Sequence, residues 1–508
     1  MSKAIMIQGT GSSVGKSLIT AALCRIFARQ GHRVAPFKAQ NMALNSFITP
    51  EGGEMGRAQV VQAEAAGVAP HTDMNPVLLK PTTDRKAQII LDGRVYGNAA
   101  ADEYHRMKAS LKPAVQAAYD RLAQRFDRIV IEGAGSPAEI NLMEDDLVNM
   151  GMAAMADCPV LLVGDIDRGG VFASLYGTVM LLPEEDRRRI KGLIINKFRG
   201  DEAILAPGIR MIEEKLGIPV LGVLPYAQID IEDEDSLSER FRHRKAQEGA
   251  VQVEVVYLPR VSNFTDFNAL ETLEDVSLRY VMRGEALREA DIVIIPGSKN
   301  TIEDMIYLRN SGLAEQIVRA HRRGARIIGI CGGYQMLGRT IRDPHGTESS
   351  VAEISGLGLL DAETVFEPEK MTTQVSALWN PSGGVQGLEL PEEPLTGYEI
   401  HMGRTVPGPG ARPLLHLKER LGEPASEPEG AVSADGRVFG TYLHGIFDNL
   451  CFTRALVNAV RSEKGLGALT AEGPDFKSFK EQEYDRLADL AASHLDMAAI
   501  EALLEVPR

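Results

Sequence analysis

Cysteine is scarce in this chain. Four of its 508 residues are cysteines, Cys24, Cys158, Cys331 and Cys451, and no two of them stand in CxxC spacing. That argues against a disulfide scaffold or a zinc framework and fits a reducing compartment. Positive charge is in deficit too: 55 Lys and Arg face 70 Asp and Glu, a net charge of -15. A protein of that balance does not track a nucleic-acid backbone with a basic surface, although a local basic pocket is compatible with it. No apolar run reaches the roughly 18 residues of a membrane span. The first residues, Met-Ser-Lys-Ala-Ile-Met-Ile, enter a strand pattern at once and show no signal-peptide core. No internal repeat is found. What remains, 44% hydrophobic and 25% charged residues, is the composition of a globular protein long enough for two or more domains. The expectation is a cytoplasmic protein with no nucleic-acid or membrane partner.

Short apolar, β-rich runs recur at Ala4–Gln8, Arg33–Phe37, Arg128–Glu132, Pro159–Asp165, Gly192–Asn196 and Val220–Leu224, separated by helix-length amphipathic segments. Continuous apolar strands alternating with helices predict an α/β fold with a parallel sheet covered on both faces. A charge-rich run without apolar periodicity, from Ile231 to Ala250, reads as a solvated linker or surface helix. A second α/β series follows at Val253–Leu258, Asp291–Pro296, Arg326–Ile330 and Gly436–Leu443. Pro391–Pro394 and Pro407–Pro413 mark an irregular stretch. From Phe476 onward Leu487, Leu490, Ala491, Leu495 and Ala499 recur at helical spacing. The expected division is therefore 1–232, a linker over 233–250, a second domain over 251–450 and a helical extension over 451–508.

The first strand pattern runs into Gly9-Thr10-Gly11-Ser12-Ser13-Val14-Gly15-Lys16-Ser17, and a helical pattern follows from Leu18 to Arg29. Strand, glycine loop and helix in this register are the context of a phosphate-binding loop. Its backbone N–H groups, at Gly11, Ser12, Val14 and Gly15, would face phosphate oxygens; Lys16 would reach the β and γ groups, and the Ser17 hydroxyl could bind Mg²⁺. Thr10 occupies the position of the first glycine, with Gly9 just before it. Glu132, at the C-terminal end of a parallel strand, stands where a metal-holding acid sits, so Ser17 and Glu132 form the expected Mg²⁺ pair. Asp165 and Asp167 end the next strand and are weaker candidates, since strand-end acids also cap helices. Lys38 closes the second strand on the same face and could neutralise a phosphate or a substrate carboxylate.

Ile327 to Leu337 reads Ile-Ile-Gly-Ile-Cys-Gly-Gly-Tyr-Gln-Met-Leu, a cysteine between glycines directly after an apolar run. Such a nucleophile elbow turns a strand sharply into a helix, and only small flanking residues, here Gly329, Gly332 and Gly333, permit the strained pose of the turn residue. Backbone N–H groups at Gly332 and Gly333, with the positive end of the next helix, would favour a thiolate on Cys331 and stabilise an oxyanion. A buried inert thiol is the commoner fate of a cysteine. It competes with a second feature, His444, bracketed by glycine at the end of the apolar segment Val438–Leu443. A cysteine and histidine far apart in sequence suit a pair that meets in the fold.

Together these motifs and several longer runs resemble the cobyric acid synthases, the glutamine-dependent amidases of cobalamin biosynthesis. The resemblance spans essentially the whole chain. It is carried by Lys38–Ser46, the Glu132 segment through Asn141-Leu142, Asp165–Ser174, Asn196–Asp201, Val261–Phe267, Pro296–Thr301, the Cys331 elbow, Gly397–Arg404 and the His444 segment. It implies an N-terminal P-loop domain similar to dethiobiotin synthetase, whose loop shows the same displaced first glycine, joined to a class I-like glutamine amidotransferase domain. The implied substrates are ATP, glutamine and a corrinoid carboxylate, adenosylcobyrinic acid a,c-diamide, whose b, d, e and g carboxylates become amides. The resemblance assigns Cys331 and His444 to glutamine hydrolysis. Familiar class I enzymes carry a glutamate two residues after the histidine; here that position is Ile446, so the third member of the triad is unassigned, with Glu399 and His401 as candidates for supporting roles.

Three other readings compete. A partitioning-type switch ATPase would carry a lysine five residues before Lys16, where this chain has Gly11, and would not need a cysteine elbow. An enzyme amidating the a and c carboxylates of cobyrinic acid shares both domains, and neither loop nor elbow excludes it. A scaffold with decayed sites conflicts with intact Lys16, Cys331 and His444.

Overall fold

The computed structural model describes residues 2–83, 86–143, 146–231, 249–470 and 475–505. The linker expected over 233–250 lies outside them except for its last two residues. Six apolar runs form one parallel sheet: β1 (Lys3–Gly9), β2 (Val34–Phe37), β3 (Arg128–Glu132), β4 (Val160–Asp165), β5 (Ile190–Phe198) and β6 (Val220–Pro225), in the order β6-β5-β4-β1-β3-β2. Nearly every residue of β1, β3 and β4 is buried, as a sheet covered on both faces requires. Chain order reverses at β1, which pairs with β3 on one side and β4 on the other. Ligands of open α/β sheets bind in the crevice beyond the strand ends at such a switch point. The loop Gly9–Ser17 leaves β1 there.

Helix α1 (Lys16–Arg29) buries Ile19, Ala22, Leu23, Ile26 and Phe27, one face at helical spacing. Each large apolar side chain removed from water contributes roughly 1.5–3 kcal/mol. Cys24 lies on the same face; burial, and then the Glu132 charge, push its thiol well up, so it is an inert core residue. Helix α3 (Phe476–His494), followed only by the short helix Met497–Glu505 among the described residues, returns across the molecule. It inserts Tyr484, Leu487, Ala488 and Ala491 into the cluster that holds Ile5, Ile7 and Leu23. Arg25 pairs with Asp485 at 2.8 Å.

A second sheet contains β7 (Val251–Val256), β8 (Val276–Val281), β9 (Ile292–Ile295), β10 (Arg326–Ile330), β11 (Ala431–Val432) and β12 (Val438–Thr441), ordered β8-β7-β9-β10-β12-β11. All pairs are parallel except β11 with β12. The strand β8 was not among the expected runs, because Val-Ser-Leu-Arg-Tyr-Val alternates polar and apolar residues. Two further sheets were also unforeseen. Gln40–Met42, Val77–Thr83, Lys86–Leu91 and Arg94–Ala100 form a small sheet inserted after β2. Ala362–Trp379 and Leu395–Pro407 make a long antiparallel hairpin around the proline-rich stretch. Both break their apolar runs after at most three residues with polar or charged ones, unlike the interior strands.

The strand Ser46–Ile48, which pairs with Glu54–Gly56 beside the small sheet, meets the hairpin. Asn263 Nδ2 donates to the Ser46 carbonyl at 3.0 Å and to Tyr398 Oη at 2.8 Å, and Tyr398 Oη donates to the same carbonyl at 3.2 Å. Phe47 packs edge-on against Tyr398, with ring centres 5.0 Å apart. Among the described residues no helix is long and apolar enough to cross a membrane.

Candidate active site

At the phosphate loop, Gly15 caps α1 with φ 102°, and a Cβ there would stand 2.1 Å from the Asn196 amide nitrogen. That amide donates to the Val14 carbonyl at 2.9 Å, and Lys197 Nζ donates to the Ser13 carbonyl at 2.7 Å, so β5 holds the loop from behind. Gly11 and Ser12 lie at the loop's outer turn, Ser12 exposed. Lys16 is buried, and its ammonium donates to the carbonyls of Gly11 at 2.7 Å and Gly135 at 3.1 Å. Ser17 Oγ donates to Glu132 Oε1 at 2.9 Å, and Lys38 Nζ reaches the same oxygen at 3.0 Å. Gln62 Nε2 donates to the other oxygen at 2.5 Å. Burial by itself would push the Glu132 carboxyl up; Lys38, Gln62 and Lys16 outweigh it and hold the group below its ordinary value.

The arrangement gathers Gly11, Ser12, Val14, Gly15, Lys16, Ser17, Lys38 and Glu132 at one sheet edge. Asp165 and Asp167 are engaged elsewhere: Asp165 accepts from the Asp167 backbone at 2.8 Å and pairs with Lys197 at 3.0 Å, and Asp167 pairs with Arg199 at 3.1 Å. Among the described residues no cluster of three His, Cys, Asp or Glu forms a metal cage. Ser17 and Glu132 are nevertheless hard oxygen donors side by side, the kind of partial set that Mg²⁺ completes with phosphate and water oxygens.

At the elbow, β10 breaks at Cys331, whose φ of 51° and ψ of -108° place it in a sparsely populated backbone region. Such a pose costs about 1–3 kcal/mol and persists only when the surroundings impose it. Here the Cys331 N–H is held by the Thr441 carbonyl at 2.8 Å, while its carbonyl accepts from Gln335 at 3.1 Å as helix α2 (Gly332–Leu337) begins. Gly333 is dictated by close approach, since a Cβ there would lie 1.9 Å from the Ile295 carbonyl oxygen; Gly332 packs beside Ser298. The thiol is buried and donates to the Ile400 carbonyl at 3.5 Å.

His444 follows β12, the strand beside β10, so adjacent parallel strands deliver cysteine and histidine to the same sheet edge. The ring is buried, and Tyr398 stacks on it with centres 5.3 Å apart at 18°. His444 Nδ1 meets Asp266 Oδ2 at 2.7 Å, and Asp266 Oδ1 accepts from the Gly445 N–H at 3.1 Å. Nε2 is buried with no conventional hydrogen bond among the described residues, which leaves it for the thiol and substrate. Burial by itself would depress the imidazolium. Asp266, through charge and hydrogen bond, and then the neighbouring Cys331, outweigh that and push it up to about 10.

Asp266 is the group that sequence reasoning missed. Ile446, in the position of the expected glutamate, is buried in the turn after His444, and the carboxylate comes instead from the short helix Phe264–Phe267. Its signal was an acid flanked by aromatic residues within a run already noted for resemblance, since an acid buried among phenylalanines needs a partner. Of the other candidates, Glu399 pairs with Arg420 at 2.9 Å. His401 sends Nδ1 to the Gly403 carbonyl at 2.8 Å and stacks on Tyr442; burial pushes it down to about 4, so the ring is neutral. Neither occupies the Nδ1 side of His444.

Comparison with known proteins agrees with both halves. Residues 5–237 match the CobQ/CobB/MinD/ParA nucleotide binding domain family, and residues 252–452 match the CobB/CobQ-like glutamine amidotransferase domain family. The chain is 54% identical to the cobyric acid synthase of Alkaliphilus metalliredigens, over 98% of this chain and 99% of that protein. It is 56% identical to that of Streptococcus sanguinis over 98% of each chain. Against that of Photorhabdus laumondii it is 52% identical over 100% of this chain and 99% of the relative. Identity above one half along the whole length, through both domains and the helices after them, makes this chain a member of the cobyric acid synthase family.

Proposed function

We propose that the glutamine-dependent amidation this enzyme performs in cobalamin biosynthesis falls on the b, d, e and g carboxylates of adenosylcobyrinic acid a,c-diamide, each step consuming one ATP and one glutamine. The observation that carries the reading is the full-length identity to cobyric acid synthases, with the loop and elbow intact. The working division is 1–232 for synthesis of the amide, 233–250 as the linker, 251–450 for glutamine hydrolysis and 451–508 as a helical extension.

A carboxylate is a poor acyl donor at neutral pH. Transfer of the γ-phosphoryl group to one of its oxygens gives an acyl phosphate and ADP; ammonia then attacks the acyl carbon and phosphate leaves. Lys16 and the loop N–H groups of Gly11, Ser12, Val14 and Gly15 position the phosphates, and Lys38 adds a second positive charge. Ser17 and Glu132 would hold Mg²⁺, which when bound neutralises charge on the transferring group.

In the second domain Cys331 Sγ attacks the side-chain amide carbon of glutamine as a thiolate whose proton already rests on His444 Nε2. The C–N bond breaks as His444 returns that proton to the departing nitrogen. Water, deprotonated by the same Nε2, then releases glutamate from the thioester. The oxyanion formed at each stage lies against the N–H groups of Gly332 and Gly333. Asp266 fixes the ring and stabilises its charged form, so that Nε2 faces the thiolate and the departing nitrogen.

Asp266→Asn is expected to lower glutamine hydrolysis by about 10⁴-fold, as when the orienting acid of a triad is neutralised. In the parent the imidazolium survives to about pH 10 rather than its usual 6.5. Hydrolysis should therefore fall on the alkaline side only near that pH. In the variant the carboxylate is gone while burial remains, so the alkaline limb should move to lower pH. By linkage, the stability that His444 contributes is fully present below its unfolded value and is lost as pH rises through about 10. An unshifted pH profile of kcat/KM would remove Asp266 from this role.

The reading is tested by mass spectrometry of adenosylcobyrinic acid a,c-diamide after incubation with the protein, Mg-ATP and glutamine, counting ADP and glutamate. Four new amides with four ADP and four glutamate per corrinoid are expected. An unchanged corrinoid, with amidation of unamidated cobyrinic acid instead, would transfer the assignment to the a and c positions.

A further inference from the structure

Cys331 opens onto a cavity that also receives Lys80, Lys299, Lys370, Glu348 and His401. Three lysines around one nucleophile are not explained by the chemistry above. They come from three separate elements. Lys80 lies on Val77–Thr83 of the small sheet in the nucleotide-binding half, Lys299 follows Gly297–Ser298 beyond β9, and Lys370 sits in the long hairpin strand Ala362–Trp379. The side chains of Lys80 and Lys370 are 4% and 8% exposed, and both pair with Glu54, at 2.6 Å and 2.5 Å. Glu54 is thus shared by two ammonium groups.

Lys299 makes no ion pair among the described residues. Its ammonium donates to Gln88 Oε1 at 3.0 Å, and Gln88 belongs to the same small sheet as Lys80. Burial, followed by the charges of Lys370 and Lys80, holds its pKa below the ordinary lysine value. A group in that position gains charge stability when an anion arrives. Glu348 faces the other way electrostatically: burial pushes its carboxyl up, and one of its oxygens accepts from the Thr301 N–H at 2.9 Å. The cavity therefore offers a positive bank and a carboxylate beside the nucleophile. An α-amino acid bound through its side-chain amide presents the complementary pair of charges four bonds from the reacting carbon.

We propose that Lys299, backed by Lys370 and Lys80, receives the α-carboxylate of glutamine while Glu348 receives its α-ammonium group. The glutamine site of the amidotransferase half is on this view completed by Lys80 and Gln88 of the nucleotide-binding half. The inference rests on the reading of Cys331 as the glutamine nucleophile.

The test uses the full chain and measures glutamate release from L-glutamine and from its analogue with a primary amide in place of the α-carboxylate. The parent is expected to prefer glutamine by about 10²-fold in kcat/KM, as a site built around a charged group rejects an analogue lacking it. Lys299→Met is expected to raise the KM for glutamine by about 30-fold with kcat within a few-fold of the parent, and to narrow the preference to below about tenfold. A KM unchanged in a Lys299→Met protein that melts at the parent's temperature overturns the proposal, while normal hydrolysis by the parent leaves the Cys331 reading in place. A parent that releases no glutamate overturns both. Should Lys299→Met not fold, two measurements decide. The parent's preference is the first, with equal use of glutamine and its α-amide counting against the proposal. The second uses Glu348→Gln with glutamine lacking its α-amino group: a preference for glutamine as strong as the parent's counts against it.

Discussion

Cys331→Ser is expected to reduce glutamine-driven amidation by at least about 10⁴-fold while amidation driven by added ammonia continues. The substitution keeps the elbow. Serine is nearly the same size, and the pose at φ 51° is imposed by the Thr441 and Gln335 backbone contacts rather than by sulfur. What is lost is sulfur, which ionises more readily and attacks carbonyl carbon faster than a hydroxyl can even beside His444. The phosphate loop belongs to a different sheet, so the acyl phosphate would still form and still be open to ammonia from solution. Parallel assays of ADP and corrinoid amide with glutamine or with an ammonium salt measure both activities. Loss of both in a folded variant would show that the two halves do not carry separable chemistry.

Lys16→Ala is expected to stop amidation from either nitrogen source, by about 10³-fold or more, because phosphoryl transfer precedes the use of ammonia. The Lys16 ammonium lies between the Gly11 and Gly135 carbonyls. There it touches both the loop after β1 and the segment after β3 that carries Glu132. Removing it subtracts a positive charge from the place where phosphate charge shifts and leaves Glu132 with less compensation. Glutamine hydrolysis at Cys331 should continue in this variant, so glutamate would accumulate without amide. Retained ammonia-driven turnover would remove the loop from the mechanism.

The pair of variants probes an interface as well as two sites. Tyr398, stacked on the His444 ring, reaches the Ser46 carbonyl of the nucleotide-binding half. The histidine of one domain is thus one side chain removed from the other domain's backbone.

The two sites differ in how far they could be read from the chain. Gly15, Lys16 and Ser17 announce themselves because a phosphate loop is a local object: consecutive residues must take left-handed or crowded poses between a strand and a helix. The same holds for Cys331 with its glycines, where a Cβ on Gly333 would collide with the Ile295 carbonyl. Glu132 and Lys38 could be placed beside the loop because strand ends of a parallel sheet converge on one edge. The pairing of Cys331 with His444 needed only the expectation that β10 and β12 are neighbours.

The long-range partners were not legible in this way. Asp266 lies 178 residues from His444 in sequence, and its position on a short helix after β7 has no spacing rule that ties it to β12. Gln62, which holds the second oxygen of Glu132, sits on the helix Arg57–Ala65, which carries neither a loop motif nor a strand end. The small sheet of residues 40–100 and the hairpin of residues 362–407 escaped notice because their strands interrupt every apolar run with polar residues and isolated charges. Those charges are spent on each other across the domain boundary, as with Glu54 between Lys80 and Lys370.

By itself the amino-acid sequence determined the two parallel-sheet domains, the phosphate loop, the cysteine elbow and the family to which they belong, because each depends on periodicity or on backbone poses encoded within about ten residues. Tertiary structure alone decided that Asp266 meets His444, that α3 returns to pack on α1, and that lysines of both halves surround Cys331. Those outcomes depend on which distant segments share a buried boundary, where an unpaired charge is costly and partners are chosen by proximity rather than by position in the chain.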